Sequence, residues 1–327
     1  MDSTKGKFLI NPRGLDHSGG VGLWGKNVVN YLVQNIDYVV AKQKYSGSSN
    51  HQLTRASEFF LLPRESKKYE YLLSLCNWGP LVSNQVIVIH DIAPLIYPNF
   101  FSKRYALFCE KMIPKLVRNA SKICTVSNFS ADDISRYLQV PRSEIAILGA
   151  APTLYREQTQ PSLIHSKYML FLGAHDMRKN LEFLLNFWPI IYDKTKLKLL
   201  VTGQVPKKTF KKKRQNEFCK GVDYLGYVNS GILTSLIQNA EAILTPSVYE
   251  GFNLPVIESL SLGTQVISSP TGIATTLKND GLTTIDLSPE KWIDKILGHS
   301  KVVFSYQSEN WKEIANRVNS TIKSLDK

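Results

Sequence analysis

With 327 residues, 43% of them hydrophobic and 20% charged, the chain is long enough for two packed domains and too apolar for wholesale disorder. A net charge of +13 attracts polyanions: nucleic acid, anionic lipid headgroups or diphosphate ligands. Four widely spaced cysteines (Cys76, Cys109, Cys124, Cys219) form no C-x-x-C pair and no metal-ligand spacing, which fits reduced thiols in a reducing compartment. The N-terminal segment carries no secretory pattern, and no apolar run approaches the roughly 20 residues that span a bilayer. The expectation is a cytoplasmic protein, soluble or lying on a membrane surface.

Short β-branched runs alternate with segments of helical period. Strands are predicted at Lys7–Asn11, Tyr38–Ala41, Gln85–Ile89, Ile123–Val126 and Glu144–Leu148, with helices at Gly22–Gln34, Ser102–Asn119 and Ser127–Leu138. The last helix has Ser127 or Ser130 as its N-cap. A polar, proline-containing stretch from Ala150 to about Lys167 reads as a linker. The alternation then restarts. Strands are predicted at Tyr168–Leu172, Leu197–Thr202, Val222–Leu225, Ala242–Thr245, Gln265–Ser268 and Thr283–Ile285. Helices fall at Asn180–Asp193, Ser230–Asn239, Pro255–Leu262 and Pro289–Gly298. The pattern is α/β: two parallel-sheet domains, 1–155 and 165–305, with a final amphipathic helix within 308–327 packing back on the first. Ligands in such folds bind at the carboxyl ends of the strands, so the loops there carry the information.

The densest chemical signal is Glu250-Gly-Phe-Asn253-Leu254-Pro-Val-Ile-Glu258, which follows the strand ending at Thr245. Pro255 suits the first turn of a helix, where its missing N–H costs nothing. Backbone N–H groups around Asn253, Leu254 and Val256 then form an anion site, and Glu258, one turn further, can accept ribose hydroxyls. Gly173-Ala-His-Asp-Met-Arg178-Lys179-Asn180 follows the strand at Tyr168. Arg178 supplies a fork and Lys179 a point charge for a departing diphosphate. In the first domain, Gly19 and Gly20 in a Gly-rich turn allow backbone to approach a phosphate, and His90 ends the strand at Ile89. His90 either touches substrate or is a structural histidine at a strand end. His17 and His175 are less well placed, and His51, His165 and His299 read as surface residues. No Asp-x-Asp occurs, so no metal site is expected. The basic run 207–214 is a solvated face, a membrane-surface contact or, less favoured, a nucleic-acid contact; no nucleic-acid-binding motif accompanies it.

Together, Gly173-Ala-His-Asp-Met-Arg178-Lys179-Asn180, Leu225-Gly-Tyr227-Val and Pro246-Ser-Val-Tyr-Glu250 through Glu258 resemble glycosyltransferase family 4, the "group 1" retaining transferases. Val88-Ile-His90-Asp91 and Cys124-Thr-Val-Ser127-Asn-Phe-Ser130 add to the match, which spans most of the chain. The resemblance implies a GT-B fold: two facing Rossmann-like domains with the active site in the interdomain cleft. It implies that Arg178 and Lys179 grip the donor diphosphate, Glu258 binds the ribose and Glu250 contacts the donor sugar. Gly19 and Gly20 would approach the phosphates, His90 would lie by the sugar, and backbone near Tyr227 would meet the base. The implied activity is metal-independent, retaining transfer of a hexose or deoxyhexose of mannose, rhamnose or fucose type. The donor would be a nucleotide-diphosphate sugar and the acceptor a saccharide or lipid-linked saccharide, in surface polysaccharide or glycan synthesis. A lipid-linked acceptor would bring the basic protein to an anionic membrane surface. No further cofactor and no nucleic acid are implied. Rival readings are an epimerase or phosphorylase of similar build and a non-catalytic subunit of a glycan-assembly complex.

Overall fold

The computed structural model describes residues 7–15, 19–35, 37–41, 60–156, 164, 166–173, 176–203 and 219–326. The expectations for His17, His51, His165, His175 and the basic run 207–214 lie outside the described residues. The chain forms two compact units. The first takes the described residues of Met1–Leu95, Leu107–Ala150 and Glu309–Lys327, and the second those of Ile96–Ala106 and Ala151–Ser308.

In chain order the elements begin with β1 (Phe8–Ile10), α1 (Gly20–Leu32), β2 (Tyr38–Val40), α2 (Leu62–Ser66), β3 (Tyr71–Ser74) and β4 (Gln85–Val88). They continue through α3 (Ala93–Ile96), α4 (Lys103–Asn119), β5 (Lys122–Thr125), α5 (Asn128–Leu138) and β6 (Ile145–Ile147). These six strands form one parallel sheet in the order β2-β1-β3-β4-β5-β6. Its inner strands are buried on both faces, which is why they read as apolar runs rather than alternating ones. β3, between β1 and β4, is absent from the predicted elements. Its sequence Tyr-Leu-Leu-Ser has no β-branched residue, and complete burial of Leu72, Leu73 and Ser74 overrides the weak strand propensity. Ser127 is the N-cap of α5, accepting the Ser130 N–H at 3.0 Å.

The second unit runs β7 (Tyr168–Leu172), α6 (Leu181–Leu185), α7 (Trp188–Thr195), β8 (Lys198–Thr202), β9 (Val222–Gly226), α8 (Ser230–Asn239) and β10 (Ile243–Thr245). Then come α9 (Leu254–Ser261), β11 (Val266–Ser268), β12 (Leu282–Thr284) and α10 (Pro289–Leu297). Its parallel sheet has the order β12-β11-β10-β7-β8-β9. The single helix predicted over Asn180–Asp193 is two helices. Pro189 lacks the N–H an unbroken helix needs and clashes with the preceding turn, so it sits in the first turn of a new one. Trp188, Phe171 and Trp292 fill the core on one sheet face, while Tyr168, Leu236 and Leu260 belong to the core on the other.

The last helix, α11 (Trp311–Lys323), belongs to the first unit and packs on α1 through an apolar stripe of Trp311, Ile314, Val318 and Ile322. Asn310 and Glu313 close its start as a reciprocal capping box. Arg317 pairs with Glu309 and donates to the Leu148 carbonyl, tying α11 to the exit of β6.

Strand order locates the sites. In the first sheet the chain reverses direction across the β1/β3 pair, and in the second across β7/β10. At such a switch point the loops leaving the two strands part to opposite faces of the sheet and open a crevice at the strand ends.

Candidate functional site

The loops after β7 and β10 flank the second unit's switch point, and they are stitched together. Val248 N–H donates to the Arg178 carbonyl at 2.7 Å, and Asn180 Nδ2 donates to the Pro246 carbonyl at 3.2 Å. Gly173, at φ +96°, makes the sharp exit from β7 that an L side chain resists, and the stem of Lys179 lies against its face. A short 3-10 turn, Met177–Lys179, then presents both cations.

Each cation meets a carboxylate. Asp176 takes Arg178 Nε at 3.2 Å and Nη2 at 2.7 Å, and also accepts the Arg178 backbone N–H at 3.0 Å. The guanidinium lies 5.7 Å from the Phe101 ring centroid, so an aromatic face fixes its plane as well. Burial pushes the Asp176 carboxyl upward. The charge and hydrogen bonds of Arg178, with the charge of Lys179, outweigh this and hold it below its ordinary value. Lys179 Nζ is 2.6 Å from Glu250 Oε1, and Ser247 Oγ donates to that same oxygen at 2.8 Å. The Lys179–Glu250 pair is mostly buried, with side chains 17% and 10% exposed.

Asn253 opens α9 in the left-handed region at φ 73°, a conformation costly for any residue but glycine, with asparagine among the most tolerant. It makes no side-chain cap. Its Nδ2 reaches Thr245 Oγ1 at 3.5 Å, and its Oδ1 is buried with no partner among the described residues. Of the first-turn donors foreseen there, Val256 N–H is committed to the Asn253 carbonyl, and Pro255 has none. The donors α9 itself does not use are the N–H groups of Asn253 and Leu254. Gly272, at φ +57°, closes the turn from the far side; a Cβ there would meet the Phe252 carbonyl oxygen at 2.5 Å.

Glu258 is buried one turn into α9, and its Oε1 accepts Thr153 Oγ1 at 2.5 Å and Thr153 N–H at 3.3 Å. Burial pushes its carboxyl above the ordinary range, against the opposing pull of the Thr153 hydrogen bonds and the Lys179 charge. The segment read as a linker therefore begins inside the second unit: Ala151 and Leu154 are buried, and Thr153 holds Glu258. Tyr227 follows the edge strand β9 and is 70% exposed.

The remaining candidates lie in the first unit. Gly19 is the N-cap of α1 and Gly20 its first residue, two positions earlier than predicted. Gly19 has an ordinary φ of −82°, and a Cβ there would meet nothing within 4 Å among the described residues, so neither the backbone nor the described packing demands glycine. His90 is buried. Its Nε2 lies 2.9 Å from the Leu75 carbonyl, which can only accept, so Nε2 carries the proton. The ring meets Trp24 edge-on at 5.1 Å, its backbone N–H goes to Asn77 and its carbonyl accepts Ser130 Oγ. Burial lowers its basicity despite the Leu75 bond. A buried structural histidine is what these contacts describe; Nδ1 is the nitrogen left to face a substrate. His299, expected at the surface, is half-buried and bonded to the Glu241 carbonyl. Cys76, Cys109 and Cys124 are buried thiols that form no disulfide, and Cys219 is a half-buried one. Among the described residues no three His, Cys, Asp or Glu side chains are grouped to hold a metal ion, and no helix is long and apolar enough to cross a membrane.

Sequence reasoning missed Asp176, Ser247, Thr153 and Phe101. Asp176 stood two residues before Arg178 and was the one readable clue; the other three are brought in by the fold.

Two Rossmann-like parallel sheets with these switch points define the GT-B class of glycosyltransferase folds. Residues 166–300, which lie within the second unit, match the family model Glycosyl transferases group 1. The chain is 27% identical over 253 residues to O-antigen chain mannosyltransferase B of Escherichia coli, covering 70% of this chain and 63% of that protein. It is 28% identical over 219 residues to O-antigen chain mannosyltransferase RfbU of Salmonella typhimurium, covering 65% and 59%. The match thus spans about three fifths of the length of these relatives. Sucrose-phosphate synthase from Thermosynechococcus elongatus shares the fold at a TM-score of 0.63 and 14% identity, over 97% of this chain and 94% of that one.

Proposed function

We propose that this chain is a retaining, metal-independent glycosyltransferase that moves a hexose or deoxyhexose, mannose before rhamnose or fucose, from a nucleotide-diphosphate sugar to a saccharide or lipid-linked saccharide acceptor in surface polysaccharide synthesis. One observation carries the reading. The β7/β10 switch point gathers Arg178, Lys179, Glu250, the α9 N-terminus and Glu258 in a single unit. Mannose is favoured because two relatives are O-antigen chain mannosyltransferases.

In this reading the donor's diphosphate lies over the N–H groups of Asn253 and Leu254, with Arg178 and Lys179 taking the charge that builds as it departs. Glu258, anchored by Thr153, accepts the ribose hydroxyls. Glu250 addresses the sugar. The bond from the anomeric carbon to the diphosphate oxygen breaks, and the acceptor hydroxyl bonds to that carbon from the same face. Its proton passes to the leaving phosphate oxygen. Gly19, Gly20 and Nδ1 of His90 are the first unit's contributions, and backbone near Tyr227 meets the base. The basic protein works at the cytoplasmic face of an anionic membrane.

The test is a thermal-stability screen against UDP, GDP, dTDP, ADP and CMP, with Glu258→Ala and Arg178→Ala alongside the wild type. A ligand at 100 times its dissociation constant adds about 2.7 kcal/mol. One nucleotide should stabilise the wild type and neither variant. Stabilisation by none of them, with strong stabilisation by short DNA or RNA, would sink the assignment. Donor turnover without a new glycosidic bond would instead point to the epimerase-like reading.

A further inference from the structure

Both cations assigned to the donor diphosphate already hold carboxylate partners. The Lys179 ammonium is paired with Glu250 at 2.6 Å, and the neighbouring Arg178 is paired with Asp176 at 2.7 Å. Each cation must release or share its carboxylate before it can hold a diphosphate. Something must change partners.

The two ion pairs differ in how tightly they are bound into the structure. Asp176 is two residues from Arg178, caps the turn that carries it, and grips the guanidinium through the Nε/Nη2 edge. Donor binding gives no reason to break this pair. Lys179 is a point charge on a flexible stem, resting against the bare face of Gly173, and its partner Glu250 lies on another loop. Glu250 also has a second anchor: Ser247, fully buried, donates to the same Oε1.

Resting on the donor site proposed above, we infer that Lys179 exchanges Glu250 for the donor diphosphate, and that Ser247 is the positioning residue that keeps Glu250 in place for the sugar once the lysine leaves. The exchange couples two events. Diphosphate arrival frees Glu250 to act only when a donor is present. After transfer, Glu250 competes with the product nucleotide for Lys179 and so speeds its release. Glu250 therefore opposes nucleotide binding while serving catalysis, the reverse of what a simple donor ligand would do.

Titration calorimetry with UDP, GDP, dTDP and ADP in turn, and with inorganic pyrophosphate as a base-free probe, tests this. Glu250→Gln should bind the nucleotide that the wild type binds at least about fivefold more tightly, the low end of ordinary site-to-site coupling. That gain should vanish in a Lys179→Ala background, because the competition runs through the lysine. Glu250→Asp, whose carboxylate is one methylene short of Nζ, gives the same reading should the glutamine variant not fold. Ser247→Ala should lower kcat by about tenfold to hundredfold through a misplaced Glu250, with nucleotide affinity and donor KM little changed. Wild type that binds a nucleotide, with either Glu250 variant binding it equally or more weakly, overturns the exchange and leaves the function standing. An unchanged kcat in Ser247→Ala overturns the role given to Ser247. Wild type that binds none of the probes takes down the function and the exchange together.

Discussion

Replacing Glu258 by glutamine should separate binding from stability, and in opposite directions. The carboxylate is 8% exposed and uses Oε1 for both Thr153 bonds, which leaves Oε2 for the ribose. Glutamine keeps an oxygen for Thr153 but places an NH₂ where two sugar hydroxyls are to donate. Each charge-assisted hydrogen bond contributes about 1.5–3 kcal/mol, so losing a diol's two bonds weakens nucleotide binding by at least about a hundredfold. Stability moves the other way. Burial raises the Glu258 pKa, so between its ordinary value of 4.5 and its native value the folded protein holds a proton that the unfolded chain has released. Folding stability then falls as pH rises through that window, and above it the carboxylate is a net cost. Glu258→Gln should therefore melt at the same temperature as wild type or higher without ligand, the difference growing as pH rises above 4.5. Ligand-induced stabilisation, about 2.7 kcal/mol at 100 times the wild-type dissociation constant, should disappear. Scanning calorimetry at pH 5 and 7.5, with and without the cognate nucleotide, reads all of this. A variant that melts lower without ligand yet keeps the full nucleotide shift would refute both the burial argument and the ribose assignment.

Asp176→Asn should weaken nucleotide binding about tenfold by loosening Arg178, a loss of about 1.4 kcal/mol measurable by calorimetry. The native Asp176 carboxyl titrates below its ordinary 3.8, so its contribution to stability is present above that value and is lost as pH falls through the lowered one; acid denaturation of the variant should show a shallower limb. His90 is the reverse case of a base. Burial lowers its pKa below 6.5, the unfolded chain takes up a proton there that the folded one refuses, and stability drops as pH falls below 6.5. Denaturant midpoints at pH 7.5 and 5.5 should differ less in His90→Asn than in wild type. Gly19→Ala should change stability by no more than about 0.5 kcal/mol, since its φ is ordinary and a Cβ meets none of the described residues, yet lower kcat/KM if a phosphate approaches there. Unchanged kcat/KM would remove Gly19 from the site. On α4 the exposed Leu107 and Phe108 share a face with Lys111 and Lys115, so co-sedimentation with phosphatidylglycerol vesicles should fall in Leu107→Glu/Phe108→Glu and at high salt. No binding by wild type at physiological salt would end the membrane reading.

Much of the fold was legible because it is written in local pattern. Strand–helix alternation reports a two-sided parallel sheet, and caps such as Ser127 and Asn310 mark where helices start. The misses have local causes too. β3 is a strand only because its neighbours bury it, and Pro189 divides a helix whose apolar period continues across the break. The site was half legible. Position after a strand put Arg178, Lys179 and Glu250 in loops, but no pattern in one sequence says which carboxylate answers which cation. Lys179 meets Glu250 only because β7 and β10 are neighbours in the sheet, and the backbone bond from Val248 to Arg178 sets their loops in register.

Thr153 shows the limit most sharply. It is 105 residues from Glu258, in a stretch whose polarity and proline made a linker the natural reading. Polar composition marks a loop only when its polar groups face water. Here a threonine hydroxyl and its backbone N–H are what a buried glutamate needs to remain an acceptor, since burial alone would drive that carboxyl toward its protonated form. A protonated carboxyl would place an O–H donor where a carboxylate offers only acceptors. Under the proposed function the segment that joins the two units belongs to the site: the Thr153 hydrogen bonds oppose the upward push of burial on Glu258 and tie ribose recognition to how the chain enters its second unit.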